Sequence, residues 1–393
     1  MKVVIAVGGG GHFAPALAVI EQMPKDWEIL LVGRKHTFEG DQALSFEYQT
    51  AKRLGLQFET ITTGRLQRKL TRHTFTSLIK MPIGLAQAKK ILAKYKPDVV
   101  LSFGGYISVP VALAAAIQHV PIVIHEQTLG AGLANKISSR FASKICLSWE
   151  ESAKFFPKEK TVLTGNPLRE EFFTKVIARS SEKQNDAAIP TEIASLLSVA
   201  RNDEKLIYIT GGSGGAHGIN VLIEGCLEKL LEQYSVIHQT GDARQFGDFD
   251  RLEKKKMQLP EALKKRYDVR KFTKPEDVLQ IVSAADLVIS RSGINTVTEL
   301  LYLGKPCLLI PLPYGQRNEQ LTNAEFVKKI GLAEIVDQLA MTPDTLIKKI
   351  NEMITSLDTY KNHKEEARKL IHVDAAERII KEVSYAKEKR ISA

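Results

Sequence analysis

The stretch Met1-Lys2-Val3-Val4-Ile5-Ala6-Val7-Gly8-Gly9-Gly10-Gly11-His12 is a short apolar strand running into four glycines and a histidine. Glycine tolerates positive φ and lets backbone N–H groups approach an anion, and the helix start that follows adds a partial positive charge. A second turn of this kind, Leu206-Ile207-Tyr208-Ile209-Thr210-Gly211-Gly212-Ser213-Gly214-Gly215-Ala216, stands about half a chain later. One such loop is weak evidence for nucleotide chemistry. Two of them, the first closed by a histidine, predict an α/β protein of two Rossmann-like domains facing each other across a cleft.

The 393 residues exceed what one core holds, which fits that division. Apolar runs predict strands at Val3–Val7, Glu28–Val32, Phe58–Ile61, Asp98–Ser102, Ile122–His125, Lys144–Leu147 and Thr161–Leu163. Helical patterns separate them, among them Ala14–Met23, Leu78–Lys94 and Val109–Gln118. Such alternation implies a parallel sheet covered on both faces. The second half repeats it, with strands at Leu206–Thr210, Ser235–Gln239, Asp268–Phe272, Leu287–Ser290, Cys307–Ile310 and Glu334–Val336. Expected boundaries are 1–166 for the first domain and 167–372 for the second, with 170–204 a polar linker and insertion. Residues 373–393 form a terminal helix expected to return to the first domain.

Three separated cysteines (Cys146, Cys226, Cys307) fit a reducing compartment and form neither a disulfide framework nor a metal-type cluster. The start lacks a signal-peptide core, and no apolar run reaches the roughly 18–20 residues of a membrane span. A cytoplasmic location is the expectation. The net charge of +10 is concentrated: nine Lys and Arg, and no acid, lie between Arg65 and Lys96. Arg65, Arg68, Lys69, Arg72 and Lys80 interleave there with Phe75, Leu78 and Ile79, a pattern suited to docking on an anionic bilayer. A solvated helix face is the alternative. Without aromatic stacking platforms or a recognition motif, no nucleic-acid partner is expected.

The chemistry-bearing residues fall in loops after strands. His12 lies where a helix begins, and a helix N-terminus disfavours a protonated imidazole, which suits a proton acceptor. Ser102-Phe103-Gly104-Gly105-Tyr106 is another glycine turn, and His125-Glu126-Gln127-Thr128 gathers hydrogen-bonding side chains at a strand end. In the second half, Ser290-Arg291-Ser292-Gly293 leads into Ile294, Asn295, Thr296, Val297, Thr298 and Glu299, where a carboxylate can accept hydrogen bonds from a ribose diol. Gln316-Arg317-Asn318-Glu319-Gln320 opens a further helix with groups suited to sugar hydroxyls. Asp248-Phe249-Asp250 resembles an Asp-x-Asp metal motif but reads as part of a charged loop, so no metal is expected.

Taken in order, these motifs resemble the MurG family, bacterial N-acetylglucosaminyltransferases of peptidoglycan synthesis with the glycosyltransferase-B fold. The resemblance runs through Gly8–His12, Gly104-Gly105-Tyr106, His125-Glu126-Gln127, Gly165-Asn166-Pro167-Leu168-Arg169, Gly211-Gly212-Ser213, Arg291-Ser292-Gly293 and Gln320. It implies transfer of GlcNAc from UDP-GlcNAc to O4 of MurNAc in lipid I, giving lipid II, at the cytoplasmic face of the cell membrane. Gly9, Gly10 and Gly11 match the donor-contacting part of the first loop, and Thr128 matches an Asn that touches GlcNAc. Arg169 and Ser213 match donor-binding positions, Thr273 a main-chain uracil contact, Ile294–Glu299 the pyrophosphate and ribose segment, and Gln320 a sugar-hydroxyl contact. Cell-wall synthesis enzymes are implied as further partners, and no cofactor is implied.

Three positions depart from the family pattern: Gly9 stands where it has threonine, Thr128 where it has asparagine, and Glu319 where it has the first glutamine of a Gln-Gln pair. The implied reaction is a single inverting displacement, with His12 or Glu126 as base and helix-start N–H groups replacing a metal at the leaving pyrophosphate. Another UDP-sugar glycosyltransferase, an epimerase of the same fold, or a non-catalytic membrane-docked UDP-sugar-binding protein are the alternative readings.

Overall fold

Val3, Val4, Ile5 and Ala6 are all fully buried, although alternate side chains of a strand point to opposite faces. Burial on both faces marks a central strand of a parallel sheet. A computed structural model of the chain describes residues 1–36, 44–62, 64, 72–169, 172, 204–212, 214–243, 245–273, 275–314 and 318–392; the side chains of 10, 72–79, 275, 276, 391 and 392 are not described. It divides into two units, Met1–Phe173 with His372–Ala393, and Thr174–Ile371.

Unit 1 runs β1 (Lys2–Ala6), α1 (Gly10–Gln22), β2 (Glu28–Gly33), α2 (Phe46–Arg53), β3 (Gln57–Thr60), α3 (Arg72–Tyr95), β4 (Val99–Ser102), α4 (Ser108–Ile117), β5 (Ile122–Glu126), α5 (Leu133–Ser138), β6 (Lys144–Leu147) and β7 (Thr161–Leu163). The strands form one parallel sheet in the order β3-β2-β1-β4-β5-β6-β7. Val4, Val32, Val100 and Ile124 pack on one face with Ala88 and Leu92 of α3 and Val111 of α4. On the other face Val3, Ile5, Leu101 and Val123 meet Phe13 and Leu17 of α1. The terminal helix (Ala375–Ser392) completes that second face with Ala376, Ile379, Val383 and Ala386. Arg390 ties it to the entry of β4 by donating to the carbonyl of Pro97 at 3.0 Å.

Unit 2 runs β8 (Leu206–Thr210), α6 (His217–Leu231), β9 (Ser235–Gln239), α7 (Asp248–Gln258), α8 (Glu261–Lys264), β10 (Tyr267–Arg270), α9 (Pro275–Ala284), β11 (Leu287–Ser290), α10 (Ile294–Leu303), β12 (Cys307–Leu309), α11 (Glu319–Ile330), β13 (Ala333–Ile335), α12 (Pro343–Thr355), α13 (Leu357–Lys361) and α14 (Lys364–Lys369). Its parallel sheet has the order β10-β9-β8-β11-β12-β13. Both sheets therefore start at a central strand, grow to one edge and cross back, which puts a topological switch point beside β1 and beside β8.

Three readings from sequence are corrected. Helix α1 begins at Gly10, inside the glycine run, rather than at Ala14, because Gly9 at φ +130° turns the chain and accepts from the N–H groups of His12 and Phe13. Asp248-Phe249-Asp250 opens a helix and is no loop. Asp248 is buried and accepts from Nδ1 of His217, Nδ2 of Asn220 and Nη2 of Arg251, each at 2.8 Å. Burial works to raise its pKa, yet these hydrogen bonds hold it below the usual range. Acids in the first turn and Lys255 and Lys256 in the last suit the helix dipole. The strand expected at Asp268–Phe272 ends at Arg270, and Phe272 is exposed.

Candidate active site

In unit 1 the loops after β1, β4 and β5 meet at the carboxyl end of the sheet. Register places Ala6 beside Ser102, so the two glycine turns that follow lie side by side. A Cβ added at Gly8 would come within 2.4 Å of the Gly105 Cα, and one at Gly105 within 2.5 Å of the Gly8 Cα. The backbones touch, which only glycine at both positions permits.

His12, half-buried in the first turn of α1, places Nδ1 2.9 Å from Oε1 of Gln127. Nε2 of Gln127 lies 3.0 Å from the Phe103 carbonyl, 3.0 Å from the His125 carbonyl and 3.1 Å from His125 Nδ1. Nε2 of His125 in turn lies 3.1 Å from the carbonyl of Gly165 and 3.2 Å from Oγ of Ser148. His125 is fully buried, and burial pulls its pKa down to about 4, so it is neutral. Glu126 is equally buried. Its two oxygens accept from the N–H and hydroxyl of Thr128, the N–H of Gly132 and Nδ2 of Asn135. Four donors make Glu126 the organiser of the β5–α5 turn, and Thr128 is fixed through it.

Gly9 has a neighbour that sequence did not suggest. Nη2 of Arg34, the residue after β2, would stand 3.0 Å from a Cβ at Gly9, and the buried carboxylate of Glu47 accepts from Arg34 Nε at 3.0 Å. A guanidinium thus occupies the space into which a threonine side chain at position 9 would project. Gly10 and Gly11 form the first residues of α1, where Gly11 meets no steric barrier to a side chain.

In unit 2 two side chains gather the loops. Oε1 of Gln239 accepts from the Tyr208 hydroxyl and the Thr273 N–H, both at 3.1 Å, while Nε2 donates to the Gly212 carbonyl. Burial raises the pKa of Tyr208, and the Glu299 carboxylate adds to the rise. Arg291 donates to the carbonyls of Ile310 and Pro311 and to Oε1 of Gln338, fastening the loops after β11, β12 and β13. Oγ of Ser292 donates to the Gln320 carbonyl at 2.6 Å, and Oε1 of Gln320 accepts from Leu312 N–H, so Gln320 stands at the N-terminus of α10.

The segment Ile294–Glu299 divides. Val297 is fully buried with its N–H on the Gly293 carbonyl, and Thr298 is fully buried with its hydroxyl turned back to Ile294 O. Ile294, Asn295 and Thr296 form the helix start, whose N–H groups point along the axis, and Glu299 is half-buried one turn on. Arg169 follows the Gly165-Asn166-Pro167 turn in unit 1. Ser213, Arg65, Arg68 and Lys69 lie outside the described residues; Arg72, Phe75, Leu78 and Ile79 fall within α3 without described side chains, and Lys80 is half-buried there. Among the described residues no cluster of His, Cys, Asp or Glu could hold a metal ion, and no helix is long and apolar enough to cross a membrane.

Models of the glycosyltransferase family 28 N-terminal and C-terminal domains match residues 3–147 and 206–379. The chain is 34% identical over 389 residues to a UDP-N-acetylglucosamine–N-acetylmuramyl-(pentapeptide) pyrophosphoryl-undecaprenol N-acetylglucosamine transferase of Trichlorobacter lovleyi, covering 97% of each. It is 34% identical to the like-named protein of Geobacter metallireducens, covering 99% of this chain and all of that one. The crystal structure of Acinetobacter baumannii MurG superposes with a TM-score of 0.68 at 25% identity, covering 98% of this chain and 99% of that one.

The chain belongs to the MurG family.

Its two parallel-sheet units are the two Rossmann-like domains of the glycosyltransferase-B fold, and it is a UDP-GlcNAc-dependent glycosyltransferase. Among MurG-family motifs, His125-Glu126-Gln127 supplies two residues that sequence reading left without a role, Gln127 and His125. Their adjacency to Glu126 was visible, but the contact of Gln127 with His12, 115 positions away, was not.

Proposed function

We propose that this chain transfers GlcNAc from UDP-GlcNAc to the O4 hydroxyl of MurNAc in lipid I, in one inverting displacement that gives lipid II. His12 is the base. The observation that carries this reading is the 2.9 Å contact of its Nδ1 with Gln127, which leaves Nε2 as the nitrogen able to meet the acceptor hydroxyl. Glu126 is a poorer choice, because four donors already occupy its oxygens.

As O4 attacks the anomeric carbon, its proton passes to Nε2, and the bond to the phosphate oxygen breaks with its electron pair leaving on UDP. The start of α10 at Ile294, Asn295 and Thr296 stabilises that departing charge, with Arg169 and Ser213 as further donor ligands. Glu299 accepts from the ribose, the backbone at Thr273 reads the uracil, and Gln320 offers its amide nitrogen to the sugar. The Thr273 N–H already serves Gln239, so its carbonyl is the group for the base. Gly9, Gly10 and Gly11 contact the donor from the first loop, and Thr128 touches its GlcNAc.

A labelled-donor assay with a short-chain lipid I analogue tests the reading. Transfer to the analogue, lost in His12→Ala, is the expected result; donor binding without transfer would indicate a UDP-sugar-binding protein instead.

The lipid tail of the acceptor calls for peripheral docking at the inner face of the membrane through Arg65–Lys80. Binding to anionic vesicles is expected to weaken with salt and on changing Arg68, Lys69 and Arg72 to Glu, with UDP binding unchanged. Binding that is insensitive to salt and charge reversal would make this stretch a solvated face.

A further inference from the structure

The side chain of Gln127 is buried, and each of its two polar atoms has neighbours that admit only one assignment. One atom lies 3.0 Å from each of two carbonyl oxygens, those of Phe103 and His125. Carbonyl oxygens only accept, so this atom is the amide nitrogen; the opposite orientation would press three oxygens together without a proton between them. The other atom, 2.9 Å from Nδ1 of His12, is then the amide oxygen, which also only accepts. Nδ1 of His12 must carry the proton. A neutral imidazole has one N–H, so its Nε2 is a bare lone pair.

His125 holds the amide in that orientation. Its Nε2 faces the Gly165 carbonyl at 3.1 Å and must be protonated, so Nδ1 is a lone pair 3.1 Å from Gln127 Nε2 and shares with the His125 carbonyl one of the two amide hydrogens. The indole N–H of Trp149 donates to the Gln127 carbonyl at 2.9 Å and fixes the main chain beneath. Every proton in the set Gly165–His125–Gln127–His12 is determined by an oxygen at one end. We propose that Gln127 and His125 are positioning residues that impose the Nδ1–H tautomer on His12 and so present Nε2 as the proton acceptor.

This rests on His12 being the base, and it adds how the base is held ready. The task is the one a buried carboxylate performs for the histidine of a serine protease, but an amide performs it without a negative charge. When Nε2 takes the acceptor's proton, the resulting imidazolium still donates from Nδ1 to Gln127 and needs no rearrangement.

The test reads the tautomer directly. In the full-length protein with ¹⁵N-labelled histidine, long-range ¹⁵N–¹H correlation spectra at neutral pH are expected to show His12 protonated at Nδ1, its signals identified by their loss in His12→Gln. A dominant Nε2–H form in the wild type would overturn the proposal. Gln127→Met, similar in length but with no acceptor, is expected to shift His12 toward Nε2–H and to lower kcat by about 10–100-fold, with donor KM within about threefold. Retention of the Nδ1–H tautomer, or of kcat within about threefold, in the folded variant would also overturn it. The spectrum is recorded without turnover, so a fully active His12→Ala protein would remove the base assignment separately while the tautomer is decided on its own.

Discussion

The two glycine turns look alike in sequence and do opposite things at their switch points. In unit 1 the turn after β1 touches the turn after β4, so Gly8 and Gly105 fill the gap between the two strands where the order reverses. In unit 2 the turn after β8 touches the other neighbour. A Cβ on Gly241, after β9, would lie 2.4 Å from the Gly215 Cα, on the side of β8 away from β11. The β8–β11 crevice is then bounded by Gly211, Gly212 and the start of α10. Under the proposed function, the same strand–glycine–helix signature holds the base in one unit and leaves room for the nucleotide in the other. Which neighbouring loop the glycines press against decides the role.

The sharpest way to break this comparison is His12→Ala. It is expected to lower kcat by roughly 10²–10⁴-fold while UDP affinity, measured by calorimetry, stays near wild type. A parallel loss of UDP binding would mean that the first turn also carries the nucleotide.

A matched pair of substitutions comes next. Gly105→Ala and Gly241→Ala each place a methyl group against backbone at positive φ (+82° and +75°), and each should destabilise its unit by on the order of 2–4 kcal/mol in denaturant unfolding. Their kinetic signatures should differ, with kcat falling in the first and donor KM rising in the second. Equal effects on one parameter would erase the distinction.

Each unit also buries one neutral histidine at a strand's carboxyl end, His125 with a pKa brought down to about 4 and His238 to about 3, in both cases by desolvation. Unfolding exposes both imidazoles, which then bind protons below about pH 6.5. The unfolded state therefore holds more protons, and stability is full above that pH and falls as the medium is acidified toward the folded values. The slope is at most about 1.4 kcal/mol per pH unit for each histidine, so unfolding at pH 5 should need clearly less denaturant than at pH 7. His238→Gln should flatten the slope; an unchanged slope would assign it to other groups.

Glu299→Ala is the smallest expected effect, a rise in donor KM equivalent to about 1–3 kcal/mol. If the wild type already handles a 2′-deoxyribose donor as well as the normal one, Glu299 does not read the ribose.

Strands were the most legible elements, and for a physical reason. Lys144–Leu147, Leu206–Thr210, Ser235–Gln239 and Leu287–Ser290 are central or near-central, so their apolar runs coincide with their hydrogen-bonded lengths. Helix α7 was missed because, of its eleven residues, only Asp248 and Leu252 are buried, and the rest read as a charged loop. Helix α2 was missed for a similar reason, since it buries Glu47, Thr50 and Ala51. In the site, His12 and Glu299 could be seen because a reactive side chain followed a strand. Arg34, Gln127, Gln239 and Arg291 act by joining loops distant in sequence, and only the sheet order brings those loops together.

The terminal helix gives the chain an order of completion. A ribosome releases sequence from the amino end, and the elements of unit 2 emerge one after another from Leu206 to Lys369, so that core can close during synthesis. The first sheet emerges earlier but must wait for Ala376, Ile379, Val383 and Ala386 before its second face is covered. Until then Leu101 of β4, Val123 of β5 and Cys146 of β6, on the strands the terminal helix covers, keep an apolar surface open to chaperones. Nascent chains arrested before residue 375 are therefore the aggregation-prone species, with a finished second unit attached to an unfinished first unit.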